Sequence, residues 1–238
     1  GEKLWGLNVI EEFGGENLEW GLSASPVIFE DKLILVVNGS DGKSLAALDK
    51  NTGATIWASL DDKAGYSTPI MIELNNDKQL VVMTGVAVVG VALADGAERW
   101  RQPWITDLDA NVAAPIFHDG RLFVSSGYDT GSALFELAVI DGEIEPNLLW
   151  RTKKMKNLIS SSILINGFLY GFHNSILNCV DFETGEVQWS HRGFKRGSVF
   201  SADGKLVIYG ERGTLAIAES SSEGYAELSS AKIFDGNK

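Results

Sequence analysis

Cysteine occurs once in this chain, at Cys179, which excludes an internal disulfide and any cysteine-rich metal site. Histidine occurs three times, at His118, His173 and His191, and none stands in a His-Glu-x-x-His or other metal-ligand spacing. Basic residues are outnumbered, 20 against 32 acidic, for a net charge of −12. A surface that acidic repels phosphate backbones, so no nucleic-acid partner is expected. No apolar run approaches the ~18 residues of a membrane span. No charged-then-apolar signal segment opens the chain at Gly1-Glu2-Lys3-Leu4-Trp5, so the sequence does not state its compartment. No stretch keeps a 3.6-residue apolar period with caps, so helix should be almost absent.

What is present is the composition of a folded protein. Of 238 residues, 45% are hydrophobic and 22% charged, which excludes a disordered chain. At that length folding hides roughly 70% of the unfolded surface, enough for a proper core. The 26 glycines against 5 prolines, with 10% aromatics, suggest many tight turns between packed strands.

One unit recurs: a short apolar strand, an Asp, a turn holding Thr-Gly or Gly, then Trp. Its clearest copy, residues 45–57, carries Asp49, Thr52, Gly53 and Trp57. Residues 91–100 repeat it with Asp95, Gly96 and Trp100, and residues 179–189 with Asp181, Thr184, Gly185 and Trp189. A degenerate copy runs from Asp141-Gly142 to Trp150, and Trp5 matches the end of the same unit. The tryptophans that end successive units, Trp5, Trp57, Trp100, Trp150 and Trp189, lie 39 to 52 residues apart. A second marker keeps step, Ser25-Pro26-Val27, Ser67-Thr68-Pro69-Ile70, Ala113-Ala114-Pro115-Ile116, Ser161-Ser162-Ile163 and Ser198-Val199. A third is the hairpin turn at Asp31-Lys32, Asp119-Gly120, Asn166-Gly167 and Asp203-Gly204. Gly accepts φ > 0 and Asp caps backbone N–H groups, so Asp-x-x-Thr-Gly suits a turn followed by a bulge. Units of ~40–50 residues with about four strands each are blades of a β-propeller. The fold class is therefore all-β, a β-propeller of four-stranded blades with about five repeats present.

The L-D-x-x-T-G-x-x-x-W unit resembles the repeat of the pyrroloquinoline-quinone-like (PQQ-like) propellers. That group includes quinoprotein alcohol dehydrogenases and the propeller lipoprotein of bacterial outer-membrane assembly. The resemblance covers residues 1 to about 220 and implies a single propeller domain over 1–238. Rings of this kind usually close with seven or eight blades, so either upstream blades are expected outside this sequence or the ring closes with fewer. The resemblance also implies a bacterial protein, periplasmic or secreted, whose signal segment lies elsewhere. In the dehydrogenase branch the quinone is held by adjacent cysteines, a stacking Trp, an Arg, and calcium bound by Glu, Asn and Asp. This sequence has Cys179 alone and no calcium set in phase, so no cofactor is expected here, with PQQ and calcium as the alternative.

The repeated tryptophans read as packing residues between neighbouring sheets. Functional variety belongs where the repeats differ, in the two loop sets that share one face of a propeller. Those loops place Trp20, Tyr66, Asn111, Tyr128, Asp129, Asn157, His173, Asn174, Arg196, Glu211 and Arg212 about one channel mouth. Aromatics, amides and paired charges converging on a concavity suit a small-molecule or peptide site. His173 is a candidate general base without an identifiable acid partner. His118 reads as turn filler on the opposite face, and His191 as edge-exposed. Gly42-Lys43-Ser44 resembles the end of a phosphate-binding loop, but the earlier glycine is replaced by Val37 and a strand follows. The oxygen-bearing run 107–111 has Val112 and His118 where a calcium hand needs Gly and Glu. Cys179, in an apolar strand, reads as an inert buried thiol.

The resulting expectation is a non-catalytic scaffold that binds a protein, peptide or saccharide through one loop face. The alternatives are a fragment of a PQQ-dependent alcohol or sugar dehydrogenase and a scaffold in outer-membrane protein assembly. The oligomeric state is not legible in the sequence.

Overall fold

Short strands that end on Asp, Asn or Gly turns can only pair with their neighbours in sequence, and the computed structural model shows that meander throughout. It describes residues 1–235. Among these, β1 (Val27–Phe29), β2 (Lys32–Gly39), β3 (Lys43–Asp49) and β4 (Thr55–Ser59) form the first sheet. The second holds β5 (Ile70–Leu74), β6 (Asp77–Met83), β7 (Ala87–Ala92) and β8 (Glu98–Pro103). The third is β9 (Ile116–His118), β10 (Arg121–Ser126), β11 (Gly131–Ile140) and β12 (Glu143–Thr152). The fourth is β13 (Ile163–Ile165), β14 (Phe168–His173), β15 (Ile176–Asp181) and β16 (Val187–His191). The fifth is β17 (Gly197–Ala202), β18 (Lys205–Gly210), β19 (Thr214–Glu219) and β20 (Glu227–Lys232). All pairs are antiparallel and in chain order. These five sheets are the blades of a β-propeller, as the repeat implied.

Helix is nearly absent, also as expected. The one α-helix among the described residues is α1 (Val9–Phe13). Asn8 caps it by accepting the Ile10 N–H, and Gly14 ends it in the left-handed region. It buries Phe13 against Val37, Ala46 and Leu48.

The chain divides into two compact units, one of residues 1–115 with 137–146, the other of 116–136 with 147 onward. The first has a core of Ile34, Leu45, Leu80, Val89 and Val91 with Trp57. The second has two, around Phe123, Leu134 and Phe182, and around Tyr170, Phe172, Leu206 and Ile208.

The repeat's two conspicuous residues, Trp and turn Gly, meet across blades. Trp5 donates its indole N–H to the Lys50 carbonyl (3.0 Å), Trp57 to Leu93 (3.2 Å), Trp150 to Phe182 (3.0 Å) and Trp189 to Ser221 (2.7 Å). Each acceptor lies three residues before a glycine of the following blade, and the ring packs on that glycine at Gly53, Gly96 and Gly185, whereas Gly224 makes the spacing without the ring contact. A Cβ on Gly53 would stand 2.5 Å from the Trp5 ring, and one on Gly96 would stand 2.6 Å from Trp57. Those glycines also sit at φ +76° and +74°, so both the twist of the turn and the approach of the ring demand Gly. The turn is tied off by its Asp: Asp49 accepts the Asn51 and Thr52 N–H groups and the Thr52 hydroxyl, and Asp181 the Thr184 N–H and hydroxyl. Those bonds hold the Asp49 carboxyl below its ordinary value, the Thr52 backbone N–H contributing most.

Trp100 differs. It is 4% exposed, lies over Gly90 of its own sheet and donates to Gln79 Oε1 at 2.9 Å.

Trp100→Ala should therefore cost about 3–5 kcal/mol in a urea melt, the range for truncating a buried aromatic. Gly96→Ala should cost about 2–4 kcal/mol, combining a left-handed alanine with overpacking against Trp57. A loss below about 1 kcal/mol in either would remove the packing role assigned to these residues.

Candidate functional site

Of the eleven loop residues, Trp20, Tyr66 and Asn111 belong to the first unit and the other eight to the second. In the first unit, Trp20 is half-exposed and leans on Tyr66, ring centroids 5.4 Å apart. Tyr66 itself is buried with Leu18, Ala64 and Ala110, and its N–H donates to the Asn111 carbonyl at 2.8 Å. Asn111 is fully buried, and its amide donates to the carbonyls of Thr84 (2.8 Å) and Trp104 (3.2 Å). Tyr66 and Asn111 thus fasten loops together and present little to solvent.

In the second unit, residues 153–157 link β12 to β13 and gather several candidates. Tyr128 and Asp129 both take left-handed backbone in the turn between β10 and β11. That turn aims the Asp129 carboxylate at Lys153 (2.7 Å) and at Lys156. The two ammonium groups, Lys153 first, hold its carboxyl down at about 2. Asn174, exposed and left-handed, donates its N–H to the Lys156 carbonyl at 3.1 Å. Asn157 is 1% exposed: its amide donates to the Phe172 carbonyl (3.1 Å) and accepts from the Ser162 hydroxyl (2.9 Å). Like Asn111, it clips a loop to a strand end.

His173, at the end of β14, is half-buried and faces a cleft of about 290 Å3 with Lys153, Lys154, Ile176, Asn178, Val187 and Ser190. Burial, then the nearby Lys156 charge, keeps its imidazole neutral to lower pH than usual. No carboxylate bonds to it among the described residues, and its charged neighbour is Lys156. Arg196 and Glu211 line a smaller cleft of about 160 Å3 with Ile159, Gly197, Ser198 and Tyr209. The Glu211 N–H donates to the Arg196 carbonyl at 2.7 Å, which brings the two loops together. Arg212 is exposed on the same turn and lines neither cleft.

Lys153, Lys154 and Asn178, which line the His173 cleft, and the adjacent Lys156 are residues that reading the sequence missed. Two signals pointed to them: a basic run in a chain of charge −12, and an amide inside the apolar strand Leu177-Asn178-Cys179-Val180.

The other motifs resolve simply. His118 is a correction in part: it is the exposed last residue of β9, paired with Arg121, and the turn begins at Asp119, 3.3 Å away. His191 is a correction: it is half-buried, stacked on Tyr225 at 3.8 Å and tilted against Phe194, because the connection between β19 and β20 folds over it. In run 107–111, Asp109 pairs with Lys63 (2.8 Å) while the Asn111 amide is spent on carbonyls. The Gly42 N–H is taken by Asp61 rather than left for a phosphate. Cys179 is fully buried.

A family profile described as outer membrane protein assembly factor BamB matches residues 1–191. The chain belongs to this family. No curated protein matches its sequence. Among solved structures it is similar to BamB from Moraxella catarrhalis, at 15% identity and a TM-score of 0.66 over 88% of this chain and 63% of that one. It is also similar to the quinohemoprotein alcohol dehydrogenase of Comamonas testosteroni, at 12% identity and a TM-score of 0.60 over 90% and 43%. Hsv2 of Kluyveromyces lactis follows at 13% identity and a TM-score of 0.59 over 88% and 69%. This member of the BamB family thus spans less than two thirds of the BamB structure it matches, and at these identities the likeness establishes the propeller fold. No helix among the described residues is long and apolar enough to cross a membrane.

Both His173 and His191 titrate lower in the folded protein than in the unfolded chain, burial being the larger cause for each. The unfolded chain then binds more protons as pH falls below about 6.5, so stability is full above that pH and declines beneath it. The thermal midpoint should drop between pH 7.5 and 5.5, and His191→Phe, which keeps the ring stack on Tyr225, should lessen the drop. An unchanged slope in that variant would show that His191 is not responsible.

Proposed function

We propose that this protein is a non-catalytic scaffold of the bacterial envelope, binding a protein partner through the loops of its second unit. The observation that carries the reading is the match over residues 1–191 to a family named for outer-membrane protein assembly. The site chemistry supports it. A general base needs an acid to orient it and a nucleophile within reach. His173 has instead Lys156 as its charged neighbour, and Asn111 and Asn157 spend their amides on the protein's own backbone. What faces solvent is one open cleft rimmed by Lys153 and Lys154 and another bearing Arg196 and Glu211, a surface suited to contact rather than turnover. The family name also supports a periplasmic location.

The quinone alternative does not fit the residues present. The lone Cys179 is fully buried, and burial pushes its thiol up to about 11. Among the described residues no group of His, Cys, Asp and Glu is placed to hold calcium.

A photo-reactive residue at the exposed Asn174, in the full-length protein in its native envelope, should cross-link a component of the outer-membrane assembly machinery. Cross-links that contain none of these components would overturn the reading. With PQQ and calcium added, dye-linked oxidation of ethanol should stay at the blank rate, and turnover would establish the dehydrogenase instead.

A further inference from the structure

The cleft beside Lys154 combines two buried, unpaired polar atoms with a cationic rim. In the fourth sheet Asn178 pairs in register with Gly171 and Ser190, and His173 pairs with Ile176 two residues along. The side chains of Asn178, His173 and Ile176 therefore share one face. Gly171, across from Asn178, leaves its place on that face to the Ser162 hydroxyl, which a Cβ there would strike. Asn178 is 3% exposed. Its amide nitrogen donates to the Lys154 carbonyl at 2.8 Å, which fixes the orientation of the amide and leaves Oδ1 as an acceptor without a donor. His173 Nδ1 is also buried without a partner. A buried polar atom left unpaired is costly, so two of them on residues that line one cleft of about 290 Å3 mark a place that gains from an incoming hydrogen-bonding group.

The rim decides the charge of that group. Lys153 is engaged by Asp129, whereas Lys154 is exposed and forms no ion pair among the described residues. Its side chain is free to turn on a picosecond-to-nanosecond scale over the cleft. A water molecule would serve the Asn178 acceptor but brings no negative charge to Lys154. The walls formed by Ile176 and Val187 are aliphatic and suit side-chain methylenes, and the lining offers no Trp, Tyr or Phe on which a sugar ring would stack.

We infer that this cleft takes an acidic residue of an extended peptide, its carboxylate on Lys154 and its backbone N–H on Asn178 Oδ1. The inference rests on the scaffold reading and names the chemistry of the partner segment that this part of the surface selects.

The test uses the whole chain and defined peptides, Ac-Ala-Glu-Ala-NH2 against Ac-Ala-Gln-Ala-NH2. The imidazole 15N resonances of the three histidines report where they bind. The Glu peptide should shift His173, leave His118 unmoved and bind at least ~10-fold more tightly than the Gln peptide, because a charge-assisted bond is about twice as strong as a neutral one. Lys154→Gln, at an exposed position, should cost the Glu peptide ~10-fold in affinity and leave the thermal midpoint unchanged. Equal affinity for the two peptides, an unmoved His173, or an indifferent Lys154→Gln variant would overturn the assignment. Galacturonate binding more tightly than the Glu peptide would also overturn it, in favour of a saccharide. If Lys154→Gln still cross-links to the assembly machinery through Asn174 while the wild type shows no peptide preference, this cleft fails and the scaffold reading stands. If the cross-links fail while the peptide preference holds, the reverse is true.

Discussion

The contact between an indole and the turn glycine of the next blade is the constraint on which the rest depends. A four-stranded antiparallel sheet is hydrophobic on two faces and cannot bury both alone. Apolar contact alone would let neighbouring sheets slide, since the hydrophobic effect has no direction. The indole adds direction. Its ring needs a surface without a Cβ, and its N–H needs a carbonyl three residues before the glycine that provides it. Both conditions are met at one register only. The Asp and Thr of the turn then hold that carbonyl in place by tying off the backbone N–H groups around it. The loops at the strand ends take their positions from that register, and so do the two clefts.

Charge works on a shorter scale. The chain carries −12 overall, yet residues 153–156 place three lysines within four positions. Beyond a Debye length of about 8 Å the acidic surface is largely screened at physiological salt, so its repulsion of an anion is felt at close range. Inside the cleft the nearest charges decide. Asp129 neutralises part of the run by binding Lys153 and Lys156, and it leaves Lys154 facing outward. A local basic point on an acidic protein discriminates at contact range, which favours selectivity over fast capture.

Much of the architecture was legible in the sequence because it repeats. Trp57, Trp100, Trp150 and Trp189, with Thr52-Gly53 and Thr184-Gly185, mark blades without any structure. Their coupling was not legible, since it joins residues of successive units that are 32 to 48 positions apart. The site was read less well, for a physical reason. Polar side chains at strand ends have two uses, to meet a ligand or to satisfy the loop's own backbone, and composition does not separate them. Asn111 and Asn157 took the second use. His173, Asp129 and Asn174 sit beside the basic segment, but the residue that organises that cleft, Asn178, lay in what read as an apolar strand. His191 looked exposed because its cover, Tyr225, comes from a connection distant in sequence.

The exception at Trp100 shows which half of the contact is the determinant. The copy after it is degenerate: Asp141-Gly142 lacks the Thr and the spacing of the other turns, and a Cβ on Gly142 would meet nothing within 4 Å. No indole rests there. Deprived of that turn, Trp100 is still buried, but it now lies on Gly90 within its own sheet and donates to Gln79, a side chain, instead of a backbone carbonyl. The ring still finds a glycine and the N–H still finds an oxygen, because a buried indole left without either would cost more than the rearrangement. The turn therefore sets where each tryptophan docks, and the tryptophan follows. Where the turn is reshaped as at Asp141-Gly142, the link to a backbone carbonyl is lost while the ring stays buried.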